Sequence, residues 1–193
     1  MPIIVDKDAV REEILMAFQR CIVRKPMTNI SLRDIAREAG MSHPKLLNYF
    51  TDKDEIILSY CKYTREFMSE KCTEWFLSHD RRDYPSNLAF MNAFMEYVAS
   101  GKEGEFRPNA TTQTYVLAQY NGDIRELVTG EFREWRELME TCLISIYGES
   151  VGKNEAEAMM ILIAGTFICN YNHALTGNIN GNILGYLGNL TKS

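Results

Sequence analysis

The stretch REAGMSHPKLLNYF, residues 37–50, distinguishes a single interrupted helix from two helices joined by a tight turn. Gly40 stands where a chain adopts the left-handed conformation that ends a helix. Ser42 then offers the side chain of a helix N-cap. Pro44 follows in the first turn, where its missing N–H has no helical partner to lose. The stretch therefore predicts that one helix ends at Ala39 and that a second begins after Ser42.

The residues just before this stretch have the form of another helix N-terminus. In Ser31-Leu32-Arg33-Asp34 a serine caps the first turn and an acid three residues later can reach back to it. Two short helices, at 31–39 and 42–49, are thus predicted, with small or apolar residues where they must cross. Over residues 31–50 this is the pattern of a helix-turn-helix, whose second helix enters the major groove of DNA. The alternative is a helical hairpin that does not bind DNA.

Helical periodicity dominates the rest of the chain, and no stretch of apolar and polar alternation is long enough for a sheet. The predicted fold is all-α. Gly148 and Gly152 are expected to separate the predicted helices 121–147 and 154–176. The other predicted helices span residues 8–23, 53–78, 86–100 and 178–190, with one more starting near 109.

Charge and cysteine content restrict the class of protein. The net charge is −5. However, residues 1–50 carry a net +2 and the remainder −7, so a basic segment precedes an acidic body. Such a local patch suffices for phosphate binding because exposed charges are screened within about 8–10 Å. Five scattered cysteines without a C-x-x-C pair argue against disulfides or zinc and favour a reducing compartment.

No targeting or membrane segment is predicted. Residues 1–10 lack the features of a signal peptide. The longest apolar stretch, 158–169, is too short for a membrane span, which needs about twenty residues. We therefore expect a soluble, cytoplasmic protein that does not bind membranes.

The segment SLRDIAREAGMSHPKLLNYFTDKDEII, residues 31–57, resembles the DNA-binding segment of the TetR family of bacterial transcriptional regulators, the tetracycline-repressor-like proteins. The family pattern is T-x-x-x-I-A-x-x-A-G-V-S-x-G-x-L-Y-x-Y-F-x-x-K-x-x-L. Two positions depart from it. Pro44 replaces the usual glycine, and Leu47 replaces a tyrosine that often contacts a phosphate, so that backbone contact is not expected here. The resemblance implies a three-helix DNA-binding domain at 1–52 and a helical effector-binding and dimerisation domain at 53–193.

Polar residues of the motif are the candidate DNA contacts. Lys45 can reach a guanine edge or a phosphate, and Asn48 an adenine or a phosphate. Solvated surface is the alternative for both. For Ser31 and Ser42, helix capping alone explains the residue equally well. The full predicted set is Ser31, Arg33, Ser42, His43, Pro44, Lys45, Asn48, Tyr49 and Lys53.

Aromatic and methionine residues crowd residues 60–97, which predicts either a plain core or the lining of a pocket for a small apolar effector. Glu96 is then either part of a solvent stripe or a polar anchor that favours a cationic ligand. The predicted ligand-binding set is Tyr63, Phe67, Phe90, Met91, Phe94, Met95, Glu96, Tyr97, Tyr115 and Trp135.

A homodimer is expected, because the glycine-rich segment 178–190 is stable only when packed against another helix. Together with 154–176 it would form a four-helix interface between two copies. The predicted interface residues are Met160, Ala164, Gly165, Ile168, Ile183 and Leu187.

Enzymatic motifs are absent from the sequence. There is no G-x-S-x-G, P-loop or dinucleotide fingerprint, and His79, Asp80, Cys169 and His173 lack metal-ligand spacing. No cofactor and no metal are expected. The sequence predicts a repressor, not an enzyme, that leaves a palindromic operator when its effector binds. The alternatives are an activator using the same residues, and a helical lipid or small-molecule carrier or enzyme using the same cavity.

Overall fold

The structure is a computed structural model that describes residues 6–86, 89–90, 93–94, 97 and 108–171. Every regular element in those ranges is a helix, in agreement with the predicted all-α class. The helices are α1 (Lys7–Ile22), α2 (Leu32–Glu38), α3 (His43–Leu46), α4 (Lys53–Ser78), α5 (Pro108–Leu117), α6 (Gly122–Tyr147) and α7 (Glu149–Tyr171). Short 3-10 turns cover Met27–Asn29 and Arg81–Asp83. Ala89, Phe90, Ala93, Phe94 and Tyr97 are helical too. The predicted helix 178–190 lies outside the described residues.

The chain forms two compact units. Unit 1 comprises the described parts of Met1–Glu66 and Asn109–Leu127, and unit 2 those of Phe67–Pro108 and Val128–Ser193. Both α4 and α6 contribute residues to each unit. The predicted boundary between a DNA-binding domain and an effector-binding domain, at residues 52 and 53, stays a proposal. The two compact units are defined by their packing and not by their function.

The core of unit 1 is built around one face of α1. Ile14, Phe18 and Ile22 recur at four-residue spacing, and each is at most 1% exposed. The ring of Phe18 meets that of Tyr60 edge to face, with centroids 5.4 Å apart. This pair joins α1 to α4. Full burial of an aromatic ring of this size contributes about 2–3 kcal/mol to the free energy of unfolding.

Unit 2 has a second core, centred on Trp75 of α4. It combines buried residues of α4, α6 and α7 with Phe90 and Phe94. The ring of Trp75 lies 5.1 Å from each of those two phenylalanine rings and is stacked on His79 at 4.3 Å. The buried members are Met68, Cys72, Trp75, Phe90, Phe94, Met139, Leu143, Ala156 and Met159.

Gly152 lies within α7, so the prediction that it separates two helices is wrong. The break occupies Gly148 alone, whose φ of +92° favours glycine. A Cβ atom at Gly152 would lie 2.3 Å from Cγ1 and 2.7 Å from the backbone nitrogen of Ile144. The glycine is therefore needed for the close approach of α7 to α6.

Among the described residues, no helix combines the length and the hydropathy that a membrane span requires.

Candidate nucleic-acid interface

The N-terminus of α2 is closed by a reciprocal capping box. The backbone N–H of Asp34 donates to Oγ of Ser31 over 3.2 Å, and the backbone N–H of Ser31 donates to Oδ2 of Asp34 over 2.9 Å. Both donors lack a helical partner, so the box satisfies groups that would otherwise need water. The cap predicted from the sequence is confirmed.

Gly40 ends α2 in the left-handed conformation, with φ at +64°. Its N–H donates to the carbonyl of Arg37 over 3.2 Å, and the N–H of Met41 donates to that of Ala36 over 2.9 Å. These two hydrogen bonds form a Schellman motif, which satisfies the last carbonyls of the helix. The turn between α2 and α3 is thus fixed by backbone geometry as well as by packing.

Helix α3 begins at Ser42, whose Oγ accepts from the N–H of Lys45 over 3.3 Å, with Pro44 in the first turn as predicted. It is shorter than the predicted 42–49. Hydrogen-bonded turns continue to Phe50, whose N–H donates to the carbonyl of Leu46 over 3.2 Å. Leu46 and Phe50 are at most 1% exposed and hold the segment against the core. The outward surface consists of Pro44, Lys45, Leu47 and Asn48, all exposed.

Arg11 of α1 anchors the end of this segment. One guanidinium nitrogen donates to the carbonyl of Tyr49, and the other lies 2.9 Å from Oε1 of Glu55 in α4. The guanidinium also lies 4.0 Å above the centroid of the Phe50 ring. Sequence analysis missed Arg11, because its partners are 38 and 44 positions away. It fixes the exit of α3 relative to both long helices of unit 1.

The carboxylate of Glu55 also completes the start of α4. It accepts from the backbone N–H of Thr51 over 2.7 Å, while Asp52 caps the N–H of Glu55 over 2.8 Å. Hydrogen bonds from Thr51 and Arg11 lower the pKa of Glu55. The carboxylate of Glu55 therefore both closes the start of α4 and holds the anchor on α1.

Two acidic residues of α2 form ion pairs with four nearby cations. Asp34 pairs with Lys25 and Arg37, each at 2.8 Å. Glu38 pairs with Arg20 at 2.9 Å and with Arg24. Hydrogen bonds from Lys25 and then Ser31 hold the pKa of Asp34 well below its usual range.

Arg33 and Lys45 are exposed and form no ion pair within the part of the chain that the structure describes. Lys53 donates to the carbonyl of Thr28 over 2.8 Å, which leaves two of its ammonium hydrogens for another acceptor. These three side chains add to the positive surplus that four cations leave around the two carboxylates of Asp34 and Glu38. All three belong to the predicted set of DNA contacts, and their contacts with DNA stay a prediction.

The loop between α1 and α2 is held from a distant part of the chain. Oε1 of Gln113 in α5 accepts from the backbone N–H of Met27 over 2.6 Å. Met27 itself is fully buried. The adjoining Thr114 contacts Cys61 of α4 at 3.5 Å between oxygen and sulfur. Helix α5 is thus an integral part of unit 1, which sequence analysis did not predict.

The described members of the predicted ligand-binding set belong to both compact units. Phe90 and Phe94 lie in the core of unit 2, and Phe67, Tyr97 and Trp135 pack against it. The other two described members, Tyr63 and Tyr115, belong to unit 1. The hydroxyl of Tyr63 lies 3.4 Å from Oε1 of Glu12 in α1. Met91, Met95 and Glu96 lie outside the described residues.

Tyr147, which sequence analysis did not select, carries an unusual group in unit 2. The residue packs against the aromatic core, and its buried hydroxyl oxygen has no hydrogen-bond partner among the described residues. Burial raises the pKa of this hydroxyl. Buried polar groups without a partner are rare in native proteins and call for an explanation.

The predicted dimer residues fall on α7 and beyond it. Met160 is buried within its own protomer, whereas the adjacent Ile161 is 66% exposed. Ala164 and Gly165 are half-buried, and a Cβ atom at Gly165 would meet nothing within 4 Å in the part of the chain that the structure describes. The side chain of Ile168, and residues Ile183 and Leu187, lie outside what the structure describes.

A capped α2, a glycine turn and a short α3 with a polar outward surface define a helix-turn-helix protein. Residues 14–60 match the family model for bacterial regulatory proteins of the tetR family. The N-terminal segment is thus similar to the DNA-binding segment of this family, and the resemblance seen in the sequence is confirmed over these residues.

A curated relative is the HTH-type transcriptional regulator PksA of Bacillus subtilis (strain 168). It is 29% identical to this chain over 103 residues, which are 53% of this chain. The match covers 48% of PksA, so the chain spans about half the length of that relative.

Solved structures extend the likeness to nearly the whole fold. A protein from Pseudomonas aeruginosa PAO1, described as a transcriptional regulator, matches with a TM-score of 0.78 at 14% identity, covering 98% of this chain and 94% of its own. Another, from Saccharomonospora viridis and in complex with choline, matches with a TM-score of 0.77 at 16% identity, covering 96% of each chain. At these identities the structural matches show the fold alone.

Proposed function

We propose that this protein binds double-stranded operator DNA by placing α3 in the major groove and regulates transcription there. One observation carries the proposal. Lys45 and Asn48 extend outward from a segment whose inner side is fixed by the buried Leu46 and Phe50. Base readout requires such a combination, because side chains select a sequence only when their backbone is held in place.

The test compares Lys45→Ala with Lys62→Ala, which removes an exposed lysine from α4. Duplexes are first selected from a random pool by the full-length protein, and binding is then measured at several salt concentrations. Lys45→Ala is expected to weaken specific binding by about 1–3 kcal/mol if the contact is to a base. For a phosphate contact, the loss is equal on all sequences and the salt slope becomes shallower by about one unit. If Lys45→Ala weakens DNA binding no more than Lys62→Ala does, this placement of α3 is wrong.

The finer proposal is a homodimeric repressor that a small effector releases from a palindromic operator. Two-fold symmetry of the protein would match the two half-sites. An effector lowers operator affinity only by its differential affinity for the two states of the protein. A reporter gene behind the selected operator tests the direction of regulation. Higher expression without the protein supports a repressor, and lower expression supports an activator.

The proposed effector is a small, largely apolar molecule bound against the aromatic core of unit 2, and we favour a cationic one. Trp75, Phe90 and Phe94 bring three aromatic rings together in this core, and aromatic rings attract organic cations. The unpartnered hydroxyl of Tyr147 offers a polar contact at the same core. The related fold from Saccharomonospora viridis was solved in complex with choline. A thermal-shift screen of choline, larger quaternary ammonium compounds and fatty acids tests the class. Stabilisation by fatty acids alone would contradict the cationic preference.

A further inference from the structure

Leu47 directly follows α3 and is an apolar residue on the outward surface that also carries Pro44, Lys45 and Asn48. It is 42% exposed, whereas the adjacent Leu46 is fully buried. Residues three apart on a helix are surface neighbours, so Leu47 lies beside the exposed Pro44. The two side chains form a small apolar patch that flanks Lys45 and Asn48.

The position of Leu47 is fixed by its surroundings. Its backbone remains helical, with φ at −65° and ψ at −11°, and its N–H donates to the carbonyl of His43 over 3.2 Å. Arg11 holds the carbonyl of Tyr49 and covers the ring of Phe50 just beyond it. The backbone that carries Leu47 is therefore held on both sides, by the helical turn before it and by the Arg11 contacts after it.

An isolated exposed leucine is ordinary on a protein surface. Here it lies among the side chains that the proposed function assigns to DNA, and this inference rests on that function. Leucine has no donor or acceptor, so it cannot bond a phosphate or a polar base edge. The apolar group that bases display in the major groove is the C5-methyl group of thymine.

We propose that Leu47 packs against a thymine methyl group and thereby selects thymine at one position of each half-site. Burial of one methyl group is worth about 0.8 kcal/mol, which corresponds to about fourfold in affinity. The effect is small beside a bidentate hydrogen-bonded pair, but it is specific to one chemical group. It can therefore be measured without altering any hydrogen bond of the DNA.

The experiment uses duplexes that the full-length protein recovers from a random-sequence pool. Each thymine is replaced in turn by deoxyuridine, which removes only the methyl group. One thymine position in each half-site is expected to lose about fourfold in affinity on replacement. Leu47→Ala should bind the thymine and deoxyuridine forms of that position equally, while any effect of replacement at other positions persists. Because Leu47 is exposed, the variant is expected to fold, which circular dichroism checks.

Val116→Ala is the matched control, since Val116 is an exposed aliphatic residue of the same unit, on α5. It should retain the full sensitivity to deoxyuridine. If DNA retention depends on Lys45 but there is no deoxyuridine effect that Leu47→Ala removes, this inference is overturned. The proposed function is then left intact. A protein that retains no duplex from the pool overturns the proposed function, and this inference with it.

Discussion

Arg11 in α1 and Glu55 in α4 are joined by a 2.9 Å ion pair that also encloses the end of α3. The same guanidinium donates to the carbonyl of Tyr49, so one side chain links α1 and α4 to the segment that follows α3. Both partners are about one third exposed, which limits the Coulomb contribution of the pair. Its main consequence is geometric: the direction of α3 depends on a residue far from it in sequence.

Arg11→Ala should lower the free energy of unfolding by about 1 kcal/mol. It should also weaken operator binding several-fold, because the exit of α3 loses its anchor. Arg11→Lys keeps the charge but not the two-pronged geometry, so an intermediate effect is expected. Urea unfolding and a binding titration measure the two effects. The control is Lys153→Ala, which removes an exposed ion pair from α7 and should change neither. Unchanged operator affinity in a folded Arg11→Ala protein would show that the anchor does not position α3.

Acid should destabilise the protein through Asp34. Its pKa is held well below the usual range by hydrogen bonds from Lys25 and Ser31. The resulting stabilisation is fully present above the unfolded pKa, about 3.9, and is lost as pH falls toward the lower folded value. Asp34→Asn should therefore flatten the fall of the urea midpoint below about pH 4. Glu157→Gln is the control, since Glu157 is exposed and unpaired among the described residues. An equal slope in Asp34→Asn and the parent protein would contradict the assignment.

Substitutions at Gly165 are expected to affect the stability of the protomer and the stability of the dimer differently. A side chain there meets nothing within 4 Å among the described residues, so Gly165→Ala should stabilise α7 by about 1 kcal/mol. A second copy packed closely at this position would exclude a larger residue. Gly165→Leu is therefore expected to shift the protein from dimer to monomer in sedimentation while its helical content is retained. A dimer that persists in Gly165→Leu places the interface elsewhere.

Tyr147→Phe tests the effector site better than truncation of Phe94. Phe94 packs on Trp75 within the core, so Phe94→Ala should cost about 3–5 kcal/mol and confuse loss of binding with loss of folding. Tyr147→Phe removes an unpartnered buried hydroxyl, and should leave the free energy of unfolding unchanged or raise it by up to about 1 kcal/mol.

Effector affinity should nevertheless fall in Tyr147→Phe, by about 1 kcal/mol for one lost hydrogen bond. Isothermal titration with the best compound of the screen measures this loss. Tyr120→Phe, at an 86% exposed position in unit 1, is the control and should bind unchanged. Equal affinity in both variants would mean that the Tyr147 hydroxyl does not contact the effector.

Local signals in the sequence predicted the helix-turn-helix correctly. Ser31 and Asp34 are three residues apart. Gly40 and Ser42 form their hydrogen bonds with residues three positions away, so the roles of all four depend on the nearby backbone alone. The anchor made by Arg11 and the hydrogen bond between Gln113 and Met27 join residues that are 38 or more positions apart. Such pairs depend on how helices pack, which no local pattern specifies.

Gly152 is a case in which a local pattern predicted a helix break that the structure does not have. A glycine close to Gly148 has the pattern of a break, but its cause is the backbone of Ile144 on a neighbouring helix. The ligand-binding set was chosen by residue type, and residue type does not distinguish the two compact units. Tyr63 and Tyr115 were therefore grouped with rings that belong to unit 2.

The aromatic core of unit 2 also determines which part of the protein can be followed by tryptophan fluorescence. The chain has two tryptophans, Trp75 and Trp135, and both belong to that core or pack against it. Residues 6–66, which contain the whole helix-turn-helix, have none. Tryptophan emission is therefore an optical probe of unit 2: an effector that rearranges the rings around Trp75 changes it directly. Unfolding confined to residues 6–66 would go unseen at tryptophan excitation wavelengths and would have to be followed by a dye placed on that segment.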